Sequence, residues 1–357
     1  MTTKIKFDIS CALGYQVSGP SDFLFNIEVA QTPQQRALLS RHSVSNVENV
    51  ENPQVESLKV ESFKAKDLPN RFIRFSASSG YINVDYKASV VVDHHWDEPS
   101  TLHEHAIAEL PKETLPFLLP SRYCESDKLF QFANANFGHL PRGYQRVQAV
   151  SDWVYSNIRF SPGASNAATS ATDTLASTAG VCRDFAHLTI ALLRSLNIPA
   201  RFVAGYDYGA DPALGPTDFH AYVEAYVGNR WFIFDSTRIC PRNGLVRIGT
   251  GFDATDVAFA TIFGPAQFTG MKLDIQPFDQ NGKPITLVDD PALAISTSSN
   301  DDFRDGEFLS PAASNMRIEI AASQFRTMPN LYAKWAIAKP AFGAAKNSHQ
   351  KAQVAEA

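Results

Sequence analysis

The candidate nucleophiles of this 357-residue chain are four cysteines, Cys11, Cys124, Cys182 and Cys240. They lie far apart and form no Cys-x-x-Cys pair, so we expect neither a disulfide scaffold nor a zinc site built on them. Cys182 differs from the others because a run with helical apolar periodicity follows it and Gly180 permits a tight turn before it. At a helix start, the helix dipole and the free N–H groups favour a thiolate and can stabilise an oxyanion. Position alone supports an unreactive buried thiol equally well.

Two strand-like segments downstream of this helix predict a β-hairpin. Residues 219–227 alternate between two faces, and residues 231–235 continue as a strand after a Gly-Asn pair at 228–229. A two-residue Gly-Asn link between strands is typical of a tight hairpin turn. Pairing of Val227 with Arg230 then sets the register. A bulge or a longer loop would break this register, which is therefore a prediction in its own right.

In that register His220 and Asp235 are diagonal neighbours on one face of the hairpin, about 7–8 Å apart at Cα and within side-chain reach. A histidine oriented by an aspartate, together with a cysteine at a helix start, is the nucleophile–base–orienter arrangement of acyl-transfer enzymes. Taken singly, His220 is more typical of a buried core histidine and Asp235 of a strand-end cap. These two residues therefore indicate a catalytic site only if their side chains and that of Cys182 lie close together in the fold.

A second group of polar residues lies between 93 and 105, where four histidines lie near several acidic residues. A metal site is conceivable there, but a polar connection between domains is the interpretation we favour. We therefore expect no metal and no cofactor. Cys240 is expected to be an unreactive thiol. Trp153 is expected to belong to the core of an amphipathic helix rather than to the site.

Composition excludes several classes of protein. Hydrophobic residues make up 44% and charged residues 19% of the chain, an ordinary globular composition. The net charge of −5 lacks the basic surface that a nucleic-acid-binding protein needs. The sequence has no run of ~18 apolar residues that would span a membrane, and its start does not resemble a signal peptide. We therefore expect a cytoplasmic protein without a nucleic-acid or membrane partner.

The length suggests two domains and a remainder, at ~150 residues per domain. Short alternating segments predict a β-rich domain over residues 1–92, built as a small β-sandwich. Four prolines indicate an extended connecting segment over 93–125. Helical periodicity followed by strands predicts a catalytic core over 126–288. Residues 289–357 are expected to form a polar extension that is partly disordered. The predicted fold class is α+β.

Four blocks in this order resemble the core of the transglutaminase-like superfamily, at residues 180–184, 198–206, 218–224 and 234–238. The resemblance runs from about residue 129 to 264 and points to the bacterial branch described as cysteine proteases, in which a small β domain precedes the core. It implies a papain-like core in which Cys182 is the nucleophile, His220 the base and Asp235 the orienter. The sequence departs from the common pattern at Tyr222, where Trp is frequent, and at Ser236, where Pro is frequent. Neither departure replaces a member of the triad.

The implied chemistry is acyl transfer through a thioester, with attack on a peptide bond or a glutamine-type amide. Water as acceptor would make the protein a peptidase or amidase, and a lysine-type amine would make it a cross-linking transglutaminase. The same triad serves both reactions, so the sequence does not separate them. We favour a cysteine hydrolase because no loop of regularly spaced acidic residues suggests calcium binding. A non-catalytic binding or scaffold protein is the remaining alternative, and the intact triad argues against it. The expected partner is a peptide or protein substrate, and the oligomeric state is not predicted.

Overall fold

The chain folds into a strand-rich α+β structure, confirming the predicted fold class. The structure is a computed structural model and describes residues 1–47, 55–64, 70–210 and 217–298. No helix in these ranges is long and apolar enough to cross a membrane. The helices are α1 (Ser126–Phe137), α2 (Tyr144–Asn157), α3 (Ala171–Ser177) and α4 (Cys182–Ser195). The strands of the first part are β1 (Thr2–Val17), β2 (Ser21–Phe25), β3 (Gln35–Val47), β4 (Val55–Ser57), β5 (Glu61–Lys64), β6 (Arg71–Ala77) and β7 (Gly80–Asp97). The later strands are β8 (Arg159–Phe160), β9 (Ala179–Gly180), β10 (Ala200–Asp207), β11 (Phe219–Val227), β12 (Arg230–Phe234), β13 (Leu245–Gly251), β14 (Ala260–Phe263), β15 (Ala266–Phe278) and β16 (Ala294–Ser296).

Two antiparallel sheets form the N-terminal β-sandwich. One sheet has the order β15-β1-β7-β3-β4, with β16 also paired to β7, and the other has the order β14-β2-β6-β5. In β1 every second residue is buried, as the alternating sequence predicted, so that Phe7 and Ile9 face the core and Asp8 does not. The buried faces of both sheets share one apolar core, to which Phe23 and Val84 also belong.

Strand pairing differs from the expected domain boundaries at the C-terminal end of the core. We expected residues 126–288 to form one unit, but β14 and β15 pair with β2 and β1 of the sandwich. Strand β16 similarly pairs with β7. The chain therefore leaves the sandwich, builds the central part and returns to complete both sandwich sheets. Local patterning predicts strands but not their distant partners, which is why the sequence missed this return.

Residues 93–125, the expected extended connection between two domains, do not form a simple linker. Strand β7 continues to Asp97, and the segment after it packs against the protein through Leu102, Leu110 and Phe117, which are buried. A buried ion pair between Glu104 and Arg146 holds it to α2. The segment is therefore a covering layer of the central part rather than a solvated linker.

The central part consists of helix α4 packed on a four-stranded sheet of order β12-β11-β10-β13. Apolar side chains of α4 share a core with Phe202 of β10 and Val223 of β11. This explains why α4 is buried on almost every side. The other face of the sheet packs partly on the sandwich, where the Tyr206 hydroxyl donates to the backbone oxygen of Ile27 at 2.5 Å.

The predicted hairpin register is confirmed. Val227 pairs with Arg230, and the ladder continues without a bulge to Val223 opposite Phe234. Gly228 and Asn229 have φ angles of 56° and 65°, the left-handed pair that a tight two-residue turn requires.

The expected polar extension is ordered where the structure describes it, up to residue 298. Ser296 and Ser298 are buried, and their hydroxyls donate to the backbone oxygen of Trp231 at 2.6 and 3.1 Å. The disorder expected further on falls on residues 299–357, which lie outside the described residues.

Candidate active site

Cys182 is the first residue of α4, as the sequence predicted, and its side chain lies at the edge of the core. The side chain of Asp184 fixes this helix start, because its Oδ2 accepts a hydrogen bond from the backbone N–H of Val181 at 2.8 Å. Gly180 is needed here, since a Cβ at that position would lie 2.6 Å from the Cβ of Asp184. First-turn amides have no intrahelical acceptor, so the N–H of Cys182 is available to stabilise an oxyanion.

His220 and Asp235 meet on one face of the hairpin, which confirms the predicted contact. The Nε2 of His220 donates to Oδ2 of Asp235 at 3.0 Å, and both side chains are buried. The other carboxylate oxygen of Asp235 accepts from the backbone N–H and the hydroxyl of Thr237 at 2.9 and 2.7 Å. These bonds fix the carboxylate, and the carboxylate in turn fixes the plane and tautomer of the imidazole.

The Cys182 thiol lies close enough to the same imidazole to help raise its pKa. The Nδ1 of His220 has no hydrogen-bond partner among the described residues, so it is the ring atom left available to the thiol. The imidazole is thus placed between the thiol and the carboxylate, which is the geometry of a nucleophile, a base and an orienting group.

Electrostatics favour a charged imidazole in this position. Burial alone would lower the pKa of His220, but the Asp235 carboxylate, with help from the Cys182 thiol, raises the pKa of His220 well above its ordinary value. Burial likewise opposes ionisation of Asp235, but the imidazole and the Thr237 hydrogen bonds outweigh it and lower the pKa of Asp235. The histidine–aspartate pair is therefore stable in its charged form.

Buried hydroxyl groups connect the Asp235 segment to the helices. The Ser236 hydroxyl contacts the Thr189 hydroxyl of α4 at 2.8 Å and the Ser151 hydroxyl of α2 at 3.0 Å. The Thr189 hydroxyl also bonds the backbone oxygen of Phe185 within α4. Sequence reasoning noted Ser236 only as a departure from the family pattern and missed this role, because the contact joins three distant segments.

Cys240 and Asp207 also lie at the site, and sequence reasoning placed neither there. One ligand-type atom each from Cys240, His220 and Asp235 lie within 4.8 Å of one another. Asp207 is buried at the end of β10 and interacts electrostatically with both His220 and Asp235. Gly205 pairs with His220, so Asp207 is the diagonal neighbour of His220 on that side, in a register that alternation within either strand does not identify.

The other cysteines are set apart from Cys182 by their surroundings. Burial raises the pKa of Cys11 and of Cys124 to about 12. Burial, followed by the charges of Asp235 and Asp207, raises the pKa of Cys240 well above its ordinary value. A raised pKa agrees with the expectation that Cys240 is an unreactive thiol. Its position beside the triad was not predicted.

The histidines of residues 94–105 do not converge on one point. His94 is buried within β7, and burial lowers its pKa to about 4. His95 instead contacts Asp97 at 2.7 Å, and His105 accepts the backbone N–H of Asn229 at 3.2 Å. The structure therefore gives these histidines separate structural surroundings.

Trp153 packs against the core, as the sequence predicted. Its ring makes edge contacts with Phe132 and Phe137 of α1, with centroids 5.2 and 6.2 Å apart. It belongs to the helical part of the core.

Comparison with known proteins identifies the family of the central part. A family model described as the transglutaminase-like superfamily matches residues 131–236, a range that contains Cys182, His220 and Asp235. A crystal structure described as a "Putative Cysteine Protease from Cytophaga hutchinsonii" is 37% identical, with a TM-score of 0.73. The similarity covers 84% of this chain and 100% of that one.

Two curated mycobacterial proteins match a shorter segment. An uncharacterized protein of Mycobacterium leprae is 36% identical over 124 residues, which is 34% of this chain and 44% of the relative. An uncharacterized protein of Mycobacterium tuberculosis is 28% identical over 145 residues, 37% of this chain and 46% of the relative. The chain therefore spans less than half the length of these curated relatives. The similarity to the Cytophaga hutchinsonii protein, by contrast, extends over that whole chain, and together with the family model it shows that this chain belongs to the transglutaminase-like superfamily.

Proposed function

We propose that the protein is a cysteine hydrolase that cleaves peptide bonds or glutamine-type amide bonds through a thioester. The observation that supports this proposal best is the placement of the His220 imidazole between the Cys182 thiol and the Asp235 carboxylate. A peptide or protein is the proposed substrate. The description of the Cytophaga hutchinsonii relative as a "Putative Cysteine Protease" is consistent with this class of reaction.

In the first half of the proposed reaction, the Cys182 sulfur attacks the carbonyl carbon of the substrate amide. The carbonyl oxygen becomes an oxyanion, which the N–H of Cys182 at the start of α4 stabilises. His220 transfers its proton to the leaving nitrogen, and the C–N bond breaks to release an amine or ammonia. The products of this half are the free amine and a thioester on Cys182.

In the second half, His220 is the base that removes a proton from water. The resulting hydroxide attacks the thioester carbon, the C–S bond breaks, and a carboxylic acid leaves. Asp235 holds the imidazole in the productive tautomer in both halves and stabilises the imidazolium, without taking the proton itself.

The acceptor distinguishes hydrolysis from cross-linking, and the triad is the same for both. A direct test incubates the protein with a peptide library containing glutamine, with and without a lysine-type amine, and reads the products by mass spectrometry. Hydrolysis predicts new termini or a glutamine-to-glutamate mass change that persists when the amine is present. Incorporation of the amine in place of water would instead support a transglutaminase.

The control for this test is Cys182→Ala, a small replacement at a buried helix start that should leave the fold intact. We expect this variant to have lost all turnover. Turnover by Cys182→Ala near the wild-type rate would show that another group is the nucleophile. A folded wild-type protein that modifies no peptide of the library would favour a non-catalytic binding protein.

A further inference from the structure

We propose that Cys240, His220 and Asp235 form a binding site for a zinc-type divalent cation, and that the bound cation inhibits the enzyme. These three side chains offer a sulfur, a nitrogen and an oxygen, the ligand set that zinc takes in proteins. The inhibitory part rests on the proposed function, because it requires His220 to be the base. The binding part concerns only the ligands and is independent of any activity.

The geometry of the three ligand atoms fits a small metal ion. They lie within 4.8 Å of one another. In a tetrahedral zinc site the ligand atoms are about 3.3–3.7 Å apart, given metal–ligand distances of about 2.0–2.3 Å. Shifts of about 1 Å in the ligand atoms would bring Cys240, His220 and Asp235 onto one ion. All three residues are buried, so few water molecules compete with them for the ion.

The surrounding charges also favour a cation at this point. The Cys240 thiol lies in the negative field of Asp235, Asp207 and Asp289, in that order of strength. Asp289 is paired with Arg242, whose Nε donates to it at 2.8 Å, so its charge is partly neutralised. Asp207 has no such cationic partner among the described ion pairs. A divalent cation would be attracted by these carboxyl groups and would take the place of the proton on the buried thiol.

Asp207 provides an independent sign that the site can accept another group. Its side chain is 3% exposed, and its Oδ1 has no hydrogen-bond partner among the described residues. A buried carboxylate oxygen without a partner is costly and calls for an explanation. Asp207 is the diagonal neighbour of His220 across β10 and β11, so it lies beside the three ligands without belonging to their cluster, and a bound cation would give its carboxylate a partner.

Binding of the ion would stop the proposed reaction. A metal on either ring nitrogen of His220 removes a lone pair or displaces the Asp235 hydrogen bond. In either case the imidazole no longer transfers a proton between Cys182 and the substrate. Removal of the ion with a chelator restores the imidazole, so the inhibition is reversible.

The test of binding uses Cys182→Ser as the background, so that the nucleophile supplies no thiolate. Co²⁺ is the probe, because a thiolate ligand produces a charge-transfer absorption band. We expect Cys182→Ser to bind one Co²⁺ with this band, and Zn²⁺ to displace it. Adding Cys240→Ser should abolish the band, whereas adding Cys124→Ser, which alters a buried cysteine elsewhere, should leave it unchanged.

The outcomes separate this proposal from its alternatives. No stoichiometric Co²⁺ or Zn²⁺ on folded Cys182→Ser would overturn it, as would a band that survives Cys240→Ser. If thermal unfolding shows that Cys182→Ser/Cys240→Ser does not fold, Cys182→Ser/Asp235→Asn takes its place. This variant should bind Zn²⁺ at least tenfold more weakly, and an unchanged affinity would overturn the site. In the wild type, Zn²⁺ should inhibit turnover and a chelator should reverse this. Cobalt binding without any turnover would instead refute the proposed function and leave the metal site standing.

Discussion

Replacement of Asp235 by Asn changes one oxygen to nitrogen and removes the charge that faces His220. The remaining oxygen can keep both hydrogen bonds from Thr237, at 2.9 and 2.7 Å in the native protein. The new amide nitrogen then occupies the position that accepts from His220 and can only donate. The imidazole proton must therefore move from Nε2 to Nδ1, the nitrogen available to Cys182. In that tautomer the ring cannot accept a proton from the thiol.

The expected loss follows from the hydrogen bond that disappears. A hydrogen bond to a charged group contributes about 1.5–3 kcal/mol. At about 1.4 kcal/mol per factor of ten, this corresponds to a 10- to 150-fold lower kcat/KM. The analogous change in serine enzymes costs about 10⁴, but a cysteine thiol ionises with less help than a serine hydroxyl. Asp235→Asn should therefore be less damaging than Cys182→Ala or His220→Ala.

The pH dependence gives the same prediction a second measurement. The raised pKa of His220 contributes stability that is present below about pH 6.5 and is lost as the pH rises through the folded value. The lowered pKa of Asp235 contributes stability that is present above about pH 3.9 and is lost as the pH falls through the folded value. The difference in Tm between wild type and Asp235→Asn should therefore be largest between about pH 4 and 6.5. The alkaline limb of the activity profile should move to lower pH, because the imidazolium has lost its partner.

Asp253→Asn is the matched control for this variant. Asp253 is also buried, also accepts two hydrogen bonds from the threonine two residues later, and also faces a buried histidine, His187. It lies outside the triad, so its replacement should reduce Tm but leave kcat/KM of the folded protein within about twofold. Steady-state kinetics and thermal unfolding of both variants make the comparison. Equal kinetic losses in both, or an Asp235→Asn variant as active as wild type, would refute the orienting role.

Three further predictions concern the thiols, the buried charges and metal dependence. Iodoacetamide at neutral pH should label Cys182 well before the other three cysteines, because burial raises the pKa values of those three thiols. Peptide mapping measures the order of labelling. Even labelling of all four cysteines would count against an activated Cys182. Glu224→Ala should lower the free energy of unfolding by about 3–5 kcal/mol, because it leaves two buried arginine side chains without their carboxylate. A loss of less than about 1 kcal/mol in denaturant unfolding would contradict this prediction. Activity should survive a chelator, because thioester chemistry needs no metal and the cation proposed at Cys240, His220 and Asp235 inhibits the enzyme; about one zinc per chain, lost together with activity, would contradict both statements.

The sequence predicted the parts of the site that depend on local pattern. The helix that begins at Cys182 follows from apolar periodicity, and the hairpin register follows from the Gly228-Asn229 turn, whose positive φ angles the structure confirms. Because strand alternation has a period of two, the register alone placed His220 and Asp235 on one face. Two short-range rules therefore positioned all three proposed catalytic residues.

The features that sequence reasoning missed depend on contacts between distant or irregular segments. Cys240 reaches the triad from an irregular segment after β12, where no periodicity reports the direction of a side chain. The contacts of Ser236 join segments from three different parts of the chain. Strand β15 pairs with β1 across most of the chain length, and alternation in either strand does not identify its partner.

The central claim is that Cys182 carries the acyl group during turnover. The most direct measurement mixes the protein with a glutamine-containing peptide, quenches the reaction in acid within one turnover, and maps the modified residues by mass spectrometry. We predict an acyl adduct on Cys182 that hydroxylamine removes, that is absent from Cys182→Ala, and that accumulates and decays at the rate of product formation. Turnover with no adduct, or with the adduct on Cys240 instead, would contradict the account.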